Sequence, residues 1–227
     1  LICGAMTEGS YIKNIEYSND ILATLDCLCA LGANVKKEND GIQIKNFNPF
    51  YADTATLNCR ESGSTLRFII PLCMLSGKKI TLTGSNRLFE RNLEIYADIA
   101  KQNGILFEKD GNSLTVRGKL KADNYKIAGN ISSQFVSGLL FALPLLEGDS
   151  TLEIIGEYES EPYVDLTLKA LSNFGVLIKK TDRIYNIKGG QKYSSRNITV
   201  EGDYSNAAFL DGFNLLGGSV TVDGLNE

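Results

Sequence analysis

A chain of 227 residues with 43% hydrophobic and 22% charged side chains has the make-up of a soluble globular protein, long enough for one large domain or two small ones. Its net charge of −4 makes no electrostatic case for nucleic acid or an anionic membrane, so any anion site must be local. No apolar run approaches the roughly 20 residues of a membrane helix. The chain has no histidine, which argues against a zinc site and excludes a Ser-His-Asp or Cys-His nucleophile within it.

The N-terminal Leu1-Ile2-Cys3-Gly4-Ala5-Met6 lacks a basic region and an initiator Met and reads as a chain cut mid-helix. Asp223-Gly224-Leu225-Asn226-Glu227 stops just past a strand-like run, so both ends suggest a fragment. The cysteines Cys3, Cys27, Cys29, Cys59 and Cys73 are odd in number and fall in apolar or helical patterns. Free, mostly buried thiols in a reducing cytoplasm are expected.

One supersecondary unit recurs. Helical patterns at Ile21–Leu31, Leu93–Gln102 and Val164–Phe174 end at Gly32, Gly104 and Gly175, and each glycine leads into a strand-like run, Ala33–Lys36, Ile105–Glu108 and Val176–Ile178. A second series interleaves with it. Helices at Leu66–Leu75, Phe135–Leu146 and Ala207–Leu216 end at Gly77, Gly148 and Gly217, followed by strands Lys79–Leu82, Ser150–Ile155 and Ser219–Val222. Glycine as a left-handed helix C-cap accounts for the punctuation. A repeat of roughly 70 residues is too long for a common solenoid. Three copies of a unit holding two helices and several strands predict an α/β (α+β) domain with pseudo-threefold packing. Residues 1–200 form that domain, and 201–227 open another.

Four loop-to-helix junctions carry the polar groups. In the first, Glu61-Ser62-Gly63-Ser64-Thr65 runs into an apolar helical pattern, with Arg67 in its first turn. Hydroxyls and glycine at a helix start suit a bound anion, but they also make an ordinary cap. Gly84-Ser85-Asn86-Arg87-Leu88-Phe89-Glu90-Arg91 sets two arginines before a helix. Gly129-Asn130-Ile131-Ser132-Ser133-Gln134 offers neutral donors, and Glu159-Ser160-Glu161-Pro162-Tyr163 places proline near the first helical position. Each alone reads as a cap or a solvated turn. Their comparable phase in the repeat is what suggests convergence of Gly63, Arg91, Ser132, Ser133, Gln134 and Ser160 on one anion-binding face.

At these residues the chain closely resembles the 5-enolpyruvylshikimate-3-phosphate synthases, through Glu61–Arg67, Leu82–Arg91, Gly129–Phe135, Ser160–Asp165 and Gly202–Ala208 in order and spacing. The resemblance implies two domains of three βαβαββ-type units each, closing around shikimate 3-phosphate and phosphoenolpyruvate. It implies addition of the shikimate hydroxyl to C2 of phosphoenolpyruvate, then loss of phosphate from a tetrahedral intermediate, in the chorismate route to aromatic amino acids. No metal or organic cofactor is implied. Ser132, Ser133 and Ser160 match shikimate 3-phosphate ligands, with Ser132 and Ser160 toward the phosphate. Tyr163 matches a residue near the shikimate ring, and Gln134 one between the two substrates. Gly63 and Arg91 match the phosphoenolpyruvate pocket, where glyphosate also binds. Gln134 and Arg91 are the candidate catalytic residues, and Arg67 looks like a support of the Gly63 loop.

Four departures accompany the resemblance. The family's Lys-Ser…Arg motif belongs before Leu1, and the second domain's acidic and basic residues belong after Glu227. Glu61 replaces a common asparagine, and Arg60 stands where glycine is frequent. A chain of this extent is expected not to turn over, because catalysis depends on closure of both halves. A UDP-N-acetylglucosamine enolpyruvyl transferase is the nearest alternative enzyme, but the 84–91 loop lacks the cysteine of that family. A non-catalytic phosphate-ligand-binding module is the alternative of a different class.

Overall fold

The computed structural model describes residues 1–45, 47–52, 54–158, 160–223 and 225. Alternating burial and 3.6-residue apolar spacing sort the chain into helices and short strands. The first stretch holds α1 (Ile2–Ala5), β1 (Ser10–Lys13), α2 (Asn19–Ala30), β2 (Asn34–Lys37) and β3 (Gly41–Lys45). The second holds β4 (Ala55–Asn58), α3 (Gly63–Cys73), β5 (Lys79–Thr83), α4 (Asn86–Phe89), α5 (Glu94–Asn103), β6 (Leu106–Asp110) and β7 (Ser113–Arg117). The third holds β8 (Asn124–Ala128), α6 (Ser133–Ala142), β9 (Ser150–Ile155), α7 (Glu161–Asn173), β10 (Ile178–Thr181) and β11 (Ile184–Ile187). Then come β12 (Asn197–Thr199) and α8 (Tyr204–Leu215).

The strands make three four-stranded mixed sheets, ordered β4-β5-β7-β6, β8-β9-β11-β10 and β12-β1-β3-β2. In each the first pair is parallel and the next two are antiparallel. The βαβαββ unit is therefore continuous twice. The third sheet is assembled from both ends of the chain, with β12 beside β1 in the register Tyr11↔Asn197 to Lys13↔Thr199. Sequence periodicity counts such units but cannot show this closure, because the partners are far apart in the chain.

The interior is built around α3 and α6. Every residue of α6 from Phe135 to Ala142 is buried, as are Leu66, Ile69, Ile70, Leu72 and Cys73 on α3. Each fully buried Leu or Ile contributes about 1.5–3 kcal/mol of transfer free energy. Four cysteines are buried and Cys29 is exposed, and all five are free thiols.

Five of the six punctuating glycines, Gly32, Gly77, Gly104, Gly175 and Gly217, take positive φ, but Gly77 lies beyond the α3 cap at Met74 and does not itself end that helix. Gly148 is an exception. Pro144 cannot continue the backbone ladder, so α6 gives way to a 3-10 turn at Leu143–Leu145 rather than running to Leu146. Gly148 serves close packing instead: a Cβ there would lie 2.9 Å from that of Ala122. The strand expected at Ser219–Val222 is also absent. Val220 exchanges hydrogen bonds with the Asn214 side chain, and residues 219–222 have no ladder partner among the described residues. Asn226 and Glu227 lie outside the described residues.

Candidate active site

All four junctions place a serine at the cap position, and three of them use its hydroxyl as the cap. Ser62 Oγ accepts from Thr65 N at 3.2 Å, so α3 starts at Gly63 and Arg67 lies beyond the first turn in which the sequence pattern placed it. Ser85 Oγ caps α4, which puts Arg87 inside that short helix and Arg91 in the link between α4 and α5. Ser132 Oγ accepts from Gln134 N at 3.4 Å. Ser160 stands at the α7 cap position without a side-chain cap bond; its Oγ donates to Ile131 O at 3.2 Å. Glu159 lies outside the described residues. A capping hydroxyl accepts from an amide and keeps its own hydrogen, so capping and ligand binding are compatible at Ser132.

The loop carrying Gly63 is held from both sides. Cys59 N donates to Thr83 O, and Ser85 N donates to Arg60 O at 2.7 Å. Arg60 takes φ 53, the left-handed backbone that favours glycine, and its guanidinium pairs with Asp26 at 2.6 Å. These bonds bring the start of α3 against the α4–α5 link. The Arg91 guanidinium meets Gly63 there, with Nη1 2.5 Å from where a Cβ would stand.

Arg67 extends the contact to α6. Its Nη1 donates to Gln134 Oε1 at 2.7 Å, and its guanidinium lies 5.0 Å from the Phe135 ring centroid. Arg67 Nε is buried and has no hydrogen-bond partner. Burial, and next the like charge of Arg91, lower the Arg67 pKa. Among the described residues neither guanidinium forms an ion pair, and Ser133 Oγ makes no hydrogen bond. Two neighbouring cations that form no ion pair among the described residues, beside a helix start with spare donors, have the chemistry that suits an oxyanion.

Gly63 thus lies beside both Arg91 and Arg67, and contacts run from Arg67 to Gln134 and through the adjoining Ser133, Ser132 and Ile131 to Ser160. Tyr163 is less integrated. The residue is 66% exposed, and its backbone N–H donates to Ser160 O. The sequence pattern passed over Tyr96, Pro71 and Gly138, which lie beneath the site; proline within a helical pattern was the available signal. No group of metal-ligand side chains occurs among the described residues, nor any helix long and apolar enough to cross a membrane.

The whole chain, residues 1–227, matches the family model for EPSP synthase (3-phosphoshikimate 1-carboxyvinyltransferase). The chain belongs to the EPSP synthase family. The 3-phosphoshikimate 1-carboxyvinyltransferase of Clostridium kluyveri is 44% identical over 230 residues, a match covering 100% of this chain and 54% of that protein. That of Clostridioides difficile strain 630 is 38% identical over 241 residues, covering 100% and 55% respectively. The solved EPSP synthase of Acinetobacter baumannii superimposes with a TM-score of 0.78 over 92% of this chain and 48% of that one; at 23% identity this speaks for the fold. The chain spans about half the length of the curated relatives it matches. EPSP synthase membership and the mixed α/β fold thus agree with the resemblance in the motifs.

Proposed function

We propose that this chain supplies the shikimate 3-phosphate-binding half of a cleft that transfers enolpyruvyl from phosphoenolpyruvate to the 5-hydroxyl of shikimate 3-phosphate. The observation that carries the reading is the pairing of Arg91 and Arg67 around Gly63 and Gln134 without an acidic partner among the described residues. In this reading Ser132, Ser133 and Ser160 hold shikimate 3-phosphate, with Tyr163 beside its ring. Gly63 leaves open the space in which the phosphate of phosphoenolpyruvate meets Arg91, whose fork of donors suits a phosphate. Gln134, already tied to Arg67, stands between the two substrates.

The hydroxyl of shikimate 3-phosphate gives up its proton to a base as its oxygen bonds to C2 of phosphoenolpyruvate, while C3 takes a proton. The tetrahedral intermediate then loses phosphate and a C3 proton, restoring the double bond. Arg91 would balance charge on the departing phosphate. Proton-transfer groups and closure are assigned to a second domain of the parent protein. Residues 1–200 form the first domain in this proposal and 201–227 begin the second. The last backbone link to β1 is Val200 N to Lys13 O, and α8 beyond it exposes Phe209, Phe213 and Leu215. The free thiols fit a cytoplasmic setting.

Calorimetric titration with shikimate 3-phosphate tests the assignment. Saturable binding that is lost in Ser133→Ala and largely kept in Arg91→Ala is expected. Equal loss in both variants, or unchanged binding in Ser133→Ala, would refute the division of the site.

A further inference from the structure

α3 contains a gap in its own ladder. Pro71 has no amide hydrogen, so the carbonyl of Arg67, four residues earlier, lacks its usual helical partner. The Tyr96 hydroxyl, reaching from α5, donates to Arg67 O at 2.8 Å and lies 3.2 Å from Phe135 O on α6. Tyr96 is fully buried, and its ring meets that of Phe135 edge-on with centroids 5.0 Å apart. Gly138 makes the approach possible: a Cβ there would overlap the Tyr96 hydroxyl and lie 2.6 Å from Arg67 O. Burial keeps the hydroxyl protonated, hence a donor, well above neutral pH.

The three helices joined at this hydroxyl are the ones whose starts carry the site. α3 opens at Gly63, α6 opens beside Gln134, and α5 begins just after Arg91. We infer that Tyr96 is a positioning residue: its hydroxyl serves the carbonyl that Pro71 leaves unpaired and thereby sets the placement of Gly63, Arg91 and Gln134 relative to one another. The inference rests on the assignment of those three residues to one anion site. Without the hydroxyl a buried carbonyl is left unpaired, and α3 relieves it by shifting against α6, which disturbs the Arg67–Gln134 bond.

The decisive experiment compares wild type, Tyr96→Phe, Pro71→Ala and the double variant. Phenylalanine keeps the ring and its packing; alanine at 71 returns an N–H to the Arg67 carbonyl. The first readout needs no ligand: the exchange rate of the Arg67 Nε hydrogen by NMR. The second is the Kd for shikimate 3-phosphate. Tyr96→Phe is expected to raise both about fivefold, the scale of one buried hydrogen bond, with Pro71→Ala restoring them in the double variant. An unchanged exchange rate in Tyr96→Phe overturns the inference, and so does a change that Pro71→Ala fails to rescue. Should Tyr96→Phe not fold, the double variant is compared with Pro71→Ala: equal rates support the role, and a faster rate in the double variant overturns it. Absence of shikimate 3-phosphate binding by wild type would refute the substrate assignment, while the exchange rates still decide the role of Tyr96.

Discussion

Arg91 stands over Gly63 so closely that a methyl group on Gly63 would lie 2.5 Å from Arg91 Nη1, yet 3.6 Å from Arg67 Nη1. The two arginines therefore respond differently to the same added atom. Arg67 is anchored by Gln134 and Phe135, whereas Arg91 is exposed and has no hydrogen-bond partner among the described residues.

Gly63→Ala should accordingly displace Arg91 rather than the backbone. Helix α3 starts at this position, and alanine is the better helix former, so thermal stability should change by no more than about 1 kcal/mol. Under the proposed assignment of Arg91, affinity for phosphoenolpyruvate should fall about tenfold, the loss expected when one charged donor is moved out of reach. Thermal unfolding and a phosphoenolpyruvate titration on the same preparations check both halves. A large fall in melting temperature would mean that the loop, not Arg91, gives way.

Gly138→Ala should behave in the opposite way. Its Cβ would meet a backbone carbonyl at 2.6 Å and the buried Tyr96 hydroxyl, neither of which can swing into solvent. Forcing α3 and α6 apart costs about 1–3 kcal/mol on the usual scale of overpacking. Urea unfolding should show a lower midpoint with an unchanged m-value.

Alkali should destabilise the fold. Burial pushes the Cys3 thiol up to about 11 from its ordinary 9.0 and raises Cys73, Tyr96 and Tyr193 well above their usual values. Well below pH 9 these thiols are protonated in both states, and their contribution to stability is fully present. As pH rises past 9.0 the unfolded chain releases protons that the folded chain keeps, so stability falls, for Cys3 between 9.0 and about 11. Urea midpoints at pH 7, 9 and 10.5 should fall slightly over the lower interval and mostly over the upper one. A midpoint that rises between pH 9 and 10.5 would contradict the assignment.

Much of the local structure was readable because it depends on near neighbours. Gly32, Gly104 and Gly175 end helices at positive φ since only the adjacent turn decides a C-cap. Strand Ser113–Arg117 alternates in burial as its apolar and polar residues do. The readings failed where partners or punctuation interfered. Ser219–Val222 looks like a strand but has no ladder partner among the described residues, and Pro144 ends α6 before Gly148 can cap it.

The sequence by itself determined the family, the repeated unit and the polar residues at each helix start, because motifs, capping and periodicity are written in consecutive residues. Only the tertiary structure decided that β12 closes the third sheet against β1, that Arg91 meets Gly63, and that Tyr96 serves the carbonyl Pro71 abandons. Those relationships join residues far apart in the chain. Their energies arise from packing and from hydrogen bonds in a buried interior, where an unpaired group is costly and no local pattern says which distant side chain will satisfy it.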